Sequence, residues 1–430
     1  MVSSGSGPLP RAPAGPLDGV RVLDLTSIVL GPVATQILGD HGAEIIKIEA
    51  LTGDSMRANG AARNQGMSSI FLAINRNKRS LAIDLKTPEG RTIALELAKS
   101  VDVIVHNMRV PAMARLGLGY DAIKAFNPTV IYCAATGFGQ DGPDGFKPAF
   151  DDIIQAACGL VSLIGQTSGQ PEYTPSLVAD KLAGIAVSSA ILAALFHRAR
   201  TGEGQYLEVP MYETLVEFML IEHMGGLAFE PAAGPAGYAR ILNAGRRPSR
   251  TADGYIAMLP YSPKHWADIF EYVGRQDILE EIDIGDRFKV NQTVRALYEH
   301  FSEITPLYTT ARWIEICEEL DIPVTKIYAI EDLPEHPHLK AVELFQFMDH
   351  PTEGKTRYVR PTVLYSRTPM SVRLPAPTLG QDTLTILTEL GYSEADVFDL
   401  QKQGVVLVPS PAVPDDAGSE DNSTTADQPA

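Results

Sequence analysis

One carboxylate stands at the start of a long apolar segment. In residues 176–186, SLVADKLAGIA, Asp180 precedes a run that includes Leu182, Ile185 and Val187. The run is apolar on nearly every face, which predicts a buried helix. Asp is a favoured N-cap because its side-chain oxygen accepts hydrogen bonds from free backbone N–H groups. The helix dipole also favours the carboxylate anion there, which is the form that a carboxylate nucleophile requires. Local sequence leaves both roles open, a cap and a catalyst.

A second chemical signal is a local excess of basic residues. The whole chain carries a formal net charge of −17, which argues against nucleic-acid binding. Residues 55–115 nevertheless hold ten basic side chains and four acidic ones. Such a basic region in an acidic protein suits a small polyanion such as a phosphorylated cofactor. Solvated helix faces explain Lys86, Arg91 and Lys99 equally well.

Length and composition describe a globular protein of more than one domain. The chain has 430 residues, of which 45% are hydrophobic and 21% charged. We find no apolar run of membrane-spanning length, and the N-terminus has no signal-peptide core. The three cysteines, Cys133, Cys158 and Cys317, have neither metal nor redox spacing. Buried thiols in a reducing compartment are expected, which predicts a cytoplasmic protein.

Elements that position these residues follow an alternating strand and helix pattern. Such alternation predicts an α/β fold, with a Rossmann-like parallel sheet covered by helices on both faces. The predicted strands are 20–25, 43–49, 79–85, 101–107, 129–135 and 206–211, and the helices between them include 31–40, 88–99 and 211–224.

A dinucleotide-binding function is disfavoured. The first strand is followed by TSIVLGP (26–32), which has one glycine where the G-x-G-x-x-G loop needs three. GFGQDGP (137–143) contains more glycines but follows a late strand, so we interpret it as a loop that lines a site. An NAD-dependent dehydrogenase is therefore the least favoured of the possible functions.

The remaining chain suggests a smaller α+β domain and a return to the large one. A hairpin is predicted at 250–259, with helices near 264–282, 290–303, 309–320 and 382–390, and a capping-box signal at Ser393 and Asp396. The predicted organisation is a disordered lead-in (1–16), a large Rossmann-like domain (17–224), a linker (225–245), a small domain (246–325), a returning C-terminal segment (326–405) and a disordered acidic tail (406–430).

An ordered series of motifs resembles the class III CoA-transferase family across about residues 17–405. Each fragment alone is weak, but the order is specific. The fragments are LDGVRVLDLTSIVLGP (17–32), LGDHGAEIIKIE (38–49), GDSMR (53–57), NRNKRSLAIDLKTPEGR (75–91), DVIVHNMRVPAMARLGLGYDAI (102–123), NPTVIYCAATGFGQDGP (127–143), AFDDIIQAACG (149–159), ADKLAGIAVSSAILAALFHRARTGEGQYLEVPMYE (179–213) and APTLGQDTLTILTELGYS (376–393).

The resemblance implies that Asp180 is the nucleophile. Its carboxylate would attack an acyl-CoA thioester, and an aspartyl anhydride and an aspartyl-CoA thioester would follow. CoA enters as part of the acyl-CoA substrate, a small carboxylic acid is the acceptor, succinyl-CoA is a common donor, and no metal or tightly bound cofactor is needed. The family also implies an interlocked homodimer.

The same resemblance implies a set of CoA contacts. They are Val29, Leu30, Ile83, Asp84, Leu85, Lys86, Asn107, Met108, Arg109, Arg115 and Lys147. Some relatives have a basic residue after the strand-ending Glu49, where this chain has Ala50. Phosphate charge would then come from elsewhere, with Arg76, Lys78 and Arg79 as candidates.

Two other functions remain open. An α-methylacyl-CoA racemase of the same superfamily pairs the acid matching Asp180 with a His, but that position is Phe150 here, and no His occurs between His106 and His197. Asp151 is a polar neighbour, for which capping of its own helix is the simpler role. A non-catalytic acyl-CoA-binding protein is the alternative from another class. The glycine run of formyl-CoA transferases is absent from residues 243–254, which disfavours formyl and oxalyl groups.

Overall fold

A computed structural model describes residues 14–243, 245–285 and 287–409 of the chain. Every predicted strand is confirmed to within two residues. The strands in these ranges are β1 (Arg21–Leu25), β2 (Glu44–Glu49), β3 (Lys78–Ile83), β4 (Val103–His106), β5 (Ile131–Thr136), β6 (Gln205–Pro210), β7 (Ser249–Arg250), β8 (Tyr255–Met258), β9 (Val324–Lys326), β10 (Phe345–His350), β11 (Gly354–Val359) and β12 (Val406–Leu407).

The predicted helices are also present, although the one expected near 264–282 is two helices separated at Gly274, which adopts a left-handed φ of 73°. The α-helices are α1 (Leu30–Asp40), α2 (Ser69–Ile74), α3 (Pro88–Ala98), α4 (Val110–Arg115), α5 (Tyr120–Lys124), α6 (Asp151–Ala157), α7 (Leu160–Ser168), α8 (Val178–Thr201), α9 (Met211–His223), α10 (Pro263–Tyr272), α11 (Gln276–Glu281), α12 (Arg287–Ile304), α13 (Thr310–Glu319), α14 (Pro337–Ala341), α15 (Thr383–Glu389) and α16 (Glu394–Lys402).

A seven-stranded sheet organises the large unit. Its order is β12-β3-β2-β1-β4-β5-β6, and all neighbours are parallel except β12, which pairs antiparallel with β3. Strands 3-2-1-4-5-6 form the doubly wound order, whose direction of winding reverses between β1 and β4. Ligands bind at this reversal, beyond the carboxyl ends of the strands. The predicted large parallel sheet with helices is confirmed.

Two apolar cores lie on opposite faces of this sheet. Successive strand residues alternate between them, as the two-residue period of a strand requires. Val22 faces the core under α1 and α8, whereas Leu23 faces the core under α3, α15 and α16. Both faces are buried, which explains the nearly continuous apolar runs of the strands.

The approach of α8 to α1 positions the N-terminus of α8. Ala183, Val187 and Ile191 of α8 join the core formed by α1. Gly184 makes the approach close, because a Cβ at that position would lie 2.7 Å from the carbonyl oxygen of Leu30. The segment LAGIA therefore brings the start of α8 against the start of α1.

Two expectations about α8 are wrong. No apolar run of membrane-spanning length was expected, but α8 has 24 residues and a mean hydropathy of 1.7 over its most apolar window. By length and composition alone, these values suffice for a membrane-spanning helix. It is not buried on every face either, since Ile185 and Phe196 are exposed in the single chain. One face nevertheless packs in the main core, as in an interior helix of a globular protein.

A second unit has its own sheet and core. Strands β7, β8 and β9 form an antiparallel sheet, so the predicted hairpin at 250–259 is confirmed. Helices α10 to α13 cover it around Trp266 and Trp313, both fully buried.

The chain then returns to the large sheet. After the β10–β11 hairpin, the backbone of Asn77 donates to the carbonyl of Leu374, and α15 and α16 complete the core under α3. The predicted capping box of Ser393 and Asp396 is present. Val406 and Leu407 fall within the predicted disordered tail, yet they form β12; residues 410–430 of that tail, and 1–13 of the predicted lead-in, lie outside the described residues.

Candidate active site

Asp180 lies in the first turn of α8 but does not cap it. The helix begins at Val178, so Asp180 is the third helical residue, and the N-cap is Leu177 without a side-chain hydrogen bond. The predicted N-cap role is therefore wrong. The side chain is free for another role, and the residue is only 8% exposed.

Asp151 supplies the missing cap from a neighbouring helix. Its Oδ1 accepts a hydrogen bond from the backbone N of Asp180 at 3.0 Å. Gln155 Nε2 donates to the other oxygen of Asp151, and Gln155 Oε1 accepts from the backbone N of Thr174. Asp151 had been expected to cap its own helix, α6. It caps α8 instead, because the start of α6 lies against the start of α8.

The environment raises the pKa of Asp180. Burial is the main cause and the nearby Asp151 carboxylate the second, and together they raise the pKa to about 6. The combined effect of burial and the Asp151 charge outweighs the expected stabilisation of the Asp180 anion by the helix dipole. One pH unit above that value, roughly 90% of the group is still ionised. At neutral pH the group is therefore mainly ionised, and its carboxylate is more basic than that of an exposed aspartate.

Asp180 opens onto a small cavity of about 260 Å³. Its walls come from the turn after β1, the segment after β4, and the loop from Gly137 to Phe150, so part of the glycine-containing loop lines this cavity. Predicted site residues in this wall are Leu30, Asn107, Met108, Arg109, Lys147 and Asp180.

A second cavity of about 690 Å³ lies on the other side of the same turn. Its walls come from the ends of β1, β2 and β3 and from α4. The size is within the range typical of sites for small ligands. Predicted CoA contacts in this wall are Ile83, Asp84, Leu85, Lys86, Met108 and Arg115.

The two cavities share Ser27, Ile28 and Met108 as lining residues. These residues follow β1 and β4, the strands between which the winding of the sheet reverses. All the predicted contacts except Val29 therefore line one of two adjoining cavities at the expected ligand site of the fold. Val29 is buried and lines neither cavity.

Part of the basic region is engaged in ion pairs within the fold. Arg76 pairs with Asp40 and Lys78 with Asp24, both in buried pairs, and Arg79 pairs with Glu44 and Glu389. These three residues, proposed to compensate for Ala50, are therefore committed to the fold. Lys86 and Arg115 line the larger cavity, and Arg109 and Lys147 line the cavity with Asp180. Lys147 also pairs with Asp144 at 2.6 Å.

Several lining residues were not identified from the sequence. Ser27, Ile28, Thr136 and Met211 have no chemical signature in their local sequence. The buried Oγ1 of Thr136 has no hydrogen-bond partner in the described structure. Only the meeting of strand ends in three dimensions identifies such residues. Among the residues that the structure describes, no cluster of three or more His, Cys, Asp or Glu side chains is arranged to hold a metal ion.

Comparison with known proteins agrees with this site. The model for CoA-transferase family III matches residues 17–383. Succinyl-CoA:glutarate CoA-transferase of Mus musculus is 33% identical, over 91% of this chain and 90% of the relative, and its Homo sapiens counterpart is 32% identical with the same coverage. A crystal structure of a CAIB/BAIF family protein from Brucella suis aligns with a TM-score of 0.75 and 26% identity, over 88% of this chain and all of that one.

The chain belongs to CoA-transferase family III. It is accordingly an enzyme, a transferase that acts on CoA thioesters. The family resemblance seen in the ordered sequence motifs is confirmed.

Proposed function

We propose that the protein transfers CoA from succinyl-CoA to a small dicarboxylic acid, with Asp180 as the covalent catalyst. The observation that carries the proposal is a buried carboxylate, ionised at neutral pH, on the wall of a cavity that adjoins a larger one whose wall includes Lys86 and Arg115. Relatives support the substrate class, because those from mouse, human and Agrobacterium fabrum are named for succinate and glutarate, and that from Haloarcula marismortui for mesaconate.

The proposed reaction conserves the energy of the thioester in four steps. Asp180 attacks the donor carbonyl, which forms a mixed anhydride and expels CoA thiolate. The thiolate attacks the aspartyl carbonyl, which forms an enzyme-CoA thioester and releases the donor acid. The acceptor carboxylate attacks that thioester, which forms a second anhydride and frees the thiolate again. The thiolate then attacks the acceptor carbonyl, so that the new acyl-CoA leaves and the Asp180 carboxylate is restored.

Burial serves this chemistry in two ways. It raises the basicity of Asp180, which favours attack, and it limits water, which would hydrolyse the anhydride. The backbone hydrogen bond from Asp180 to Asp151 holds the first turn of α8 in place while the side chain carries the acyl group.

CoA is proposed to occupy the larger cavity, with its thioester directed past Ile28 to Asp180. Lys86 and Arg115 would bind its phosphates, in place of the basic residue that some relatives have at the position of Ala50. The apolar side chains of Leu85 and Met108 suit the adenine and pantetheine parts. Arg109 and Lys147, in the wall of the Asp180 cavity, would bind the distal carboxylate of the donor and acceptor acids.

A homodimer is proposed on the basis of exposed apolar surface. Ile185, Phe196, Phe218 and Ile221 on α8 and α9 are exposed in the single chain, with Ile221 at 77%. A cavity of about 1140 Å³ lies between α1, α2 and the β10–β11 hairpin, and Ile185 is part of its wall. Apolar surfaces of this kind mark protein interfaces. The exposed apolar faces of α8 and α9 suit the interlocked dimer implied by the family resemblance, in which a second copy of the chain would cover these faces and the cavity.

A cytoplasmic location is part of the proposal. The three cysteines are free, and Cys133 and Cys317 are fully buried. Free buried thiols are typical of proteins from reducing compartments.

Purified protein tests the activity directly. Succinyl-CoA is incubated with isotopically labelled glutarate, mesaconate or other acids, and label in the CoA ester is measured. We expect transfer to a dicarboxylate, and a loss of at least about a thousandfold in Asp180→Asn with CoA affinity retained. Exchange of the α-hydrogen of a 2-methylacyl-CoA without transfer would instead identify a racemase, although Phe150 is a side chain without acid–base function. Binding without either reaction would identify a non-catalytic protein.

A further inference from the structure

The turn from Thr26 to Ile28 is fixed by side chains from four parts of the chain. Asp24 accepts from the backbone N of Thr26 at 2.9 Å, and Lys47 Nζ donates to the Thr26 carbonyl at 2.7 Å. Asp54 accepts from the backbone N of Ile28 at 3.1 Å. Five successive backbone polar groups are bound in this way once the contacts of Ser27 are included.

Asn107 makes both contacts to Ser27. Its Oδ1 accepts from the backbone N of Ser27 at 3.0 Å, and its Nδ2 donates to the Ser27 carbonyl at 2.7 Å. The two bonds join the segment after β4 to the turn after β1. The side-chain amide is thereby engaged with the backbone on both its oxygen and its nitrogen, although the family resemblance implies a CoA contact.

This fixation holds a backbone conformation that Ile28 does not favour. Ile28 has a φ of 74°, in the left-handed region, where a β-branched side chain is strained. The carboxylates that hold the turn are rigid themselves, because Asp24 pairs with Lys78 and Asp54 with Lys47 in fully buried ion pairs. A strained backbone conformation persists only where surrounding contacts hold it in place, and such conformations occur mainly at functional sites.

The strained residue stands between the two cavities. Ile28 lines both the cavity with Asp180 and the larger cavity proposed for CoA. We infer that Asn107 is a positioning residue: by clamping Ser27 it keeps Ile28 left-handed, and the resulting turn directs the thioester of a bound acyl-CoA toward Asp180. The inference rests on the proposed function only for the identity of that thioester. If the clamp is lost, the turn relaxes to a negative φ and the wall between the cavities moves.

A double-substitution experiment separates this role from a direct contact of Asn107 with CoA. Glycine adopts a positive φ without strain, so an Ile28→Gly chain needs no clamp. We expect Asn107→Ala to lower the rate of CoA transfer by at least about tenfold in the wild-type background and by less than about threefold in the Ile28→Gly background. Equal losses in both backgrounds would overturn the inference, because they would mean that Asn107 acts independently of the turn.

A second measurement does not depend on the activity. The dissociation constant of CoA itself is measured by calorimetry for the same four chains. We expect Asn107→Ala to weaken binding about fivefold when Ile28 is present and less than about twofold in the Ile28→Gly chain. A wild-type chain that binds CoA but transfers nothing contradicts the proposed function alone, and the coupling in binding still decides the role of the clamp. If Asn107→Ala does not fold, Asn107→Asp, which keeps an acceptor for the Ser27 N–H, replaces it with the same expected pattern at smaller size.

Discussion

The backbone N–H of Asp180 donates to the carboxylate of Asp151 across 3.0 Å. One acidic side chain thus fixes the position of another and, by its charge, raises the pKa of that neighbour above the value that burial alone would give. The same side chain therefore holds the proposed nucleophile in position and adds to the basicity that burial gives it.

The rate of transfer should depend on pH through Asp180. A carboxyl with a pKa of about 6 loses its nucleophilic form as the pH falls below that value. We expect kcat/KM of the wild type to fall on the acid side with a midpoint near pH 6. In Asp151→Asn the amide oxygen still accepts the hydrogen bond but the like charge is gone, so the midpoint should move to lower pH. Asp152→Asn, an exposed neighbour on α6, is the control and should leave the midpoint in place. An unchanged midpoint in Asp151→Asn would show that the charge of Asp151 does not raise the pKa of Asp180.

The close packing of α8 on α1 should be essential for catalysis. A Cβ at residue 184 would lie 2.7 Å from the Leu30 carbonyl oxygen, so Gly184→Ala must push the start of α8 outward. We expect a loss of about 1–3 kcal/mol in the free energy of unfolding and a fall in kcat of about a hundredfold, because Asp180 moves. Ser189→Ala, at an exposed position of α8, controls for alanine in this helix. Full activity in Gly184→Ala would show that the approach is not needed.

Two basic side chains should account for most of the electrostatic binding of CoA. Lys86→Ala and Arg115→Ala each remove a positive charge from the wall of the larger cavity, and we expect each to raise the dissociation constant of CoA about tenfold at low salt. Arg79→Gln removes a charge from the same basic region, but this arginine is paired with Glu44 and Glu389. It should leave CoA affinity within about twofold, since its charge is already engaged within the fold. Equal increases in the dissociation constant of CoA in all three variants would contradict the assignment of Lys86 and Arg115 to CoA binding.

The exposed apolar faces of α8 and α9 should be covered in solution. We expect a dimer in analytical ultracentrifugation that persists on dilution, because interlocked chains separate only when they unfold. Ile221→Asp, in a side chain 77% exposed in the single chain, should lower the midpoint of thermal unfolding of that dimer. The same change at Ile330, which is 81% exposed but away from α8 and α9, is the control. A stable, folded monomer would refute the proposed dimer.

The sequence predicted the elements better than their contacts. Strand and helix periodicity located β1 to β6, and the first turn of α8 was recognisable from Asp180. Asp151, in contrast, lies 29 positions from its partner, and no local pattern reveals that it caps α8. Lys78 was a candidate for binding the CoA phosphates for a related reason. It lies 54 positions from Asp24, so the sequence does not reveal their buried ion pair, which forms only when the strands are in register. The two residues of β12 were assigned to a disordered tail because so short a strand has no period of its own.

The most direct test of the covalent account is the transfer of oxygen into Asp180. If the acceptor acid carries oxygen-18 in its carboxylates, the proposed fourth step leaves one of those atoms on Asp180 when the new acyl-CoA departs. After turnover with succinyl-CoA, the peptide that contains Asp180 is isolated and its mass measured. We expect this peptide to gain the heavy isotope in the wild type, and only when donor and labelled acceptor are both present. Normal transfer with no label in that peptide would contradict it.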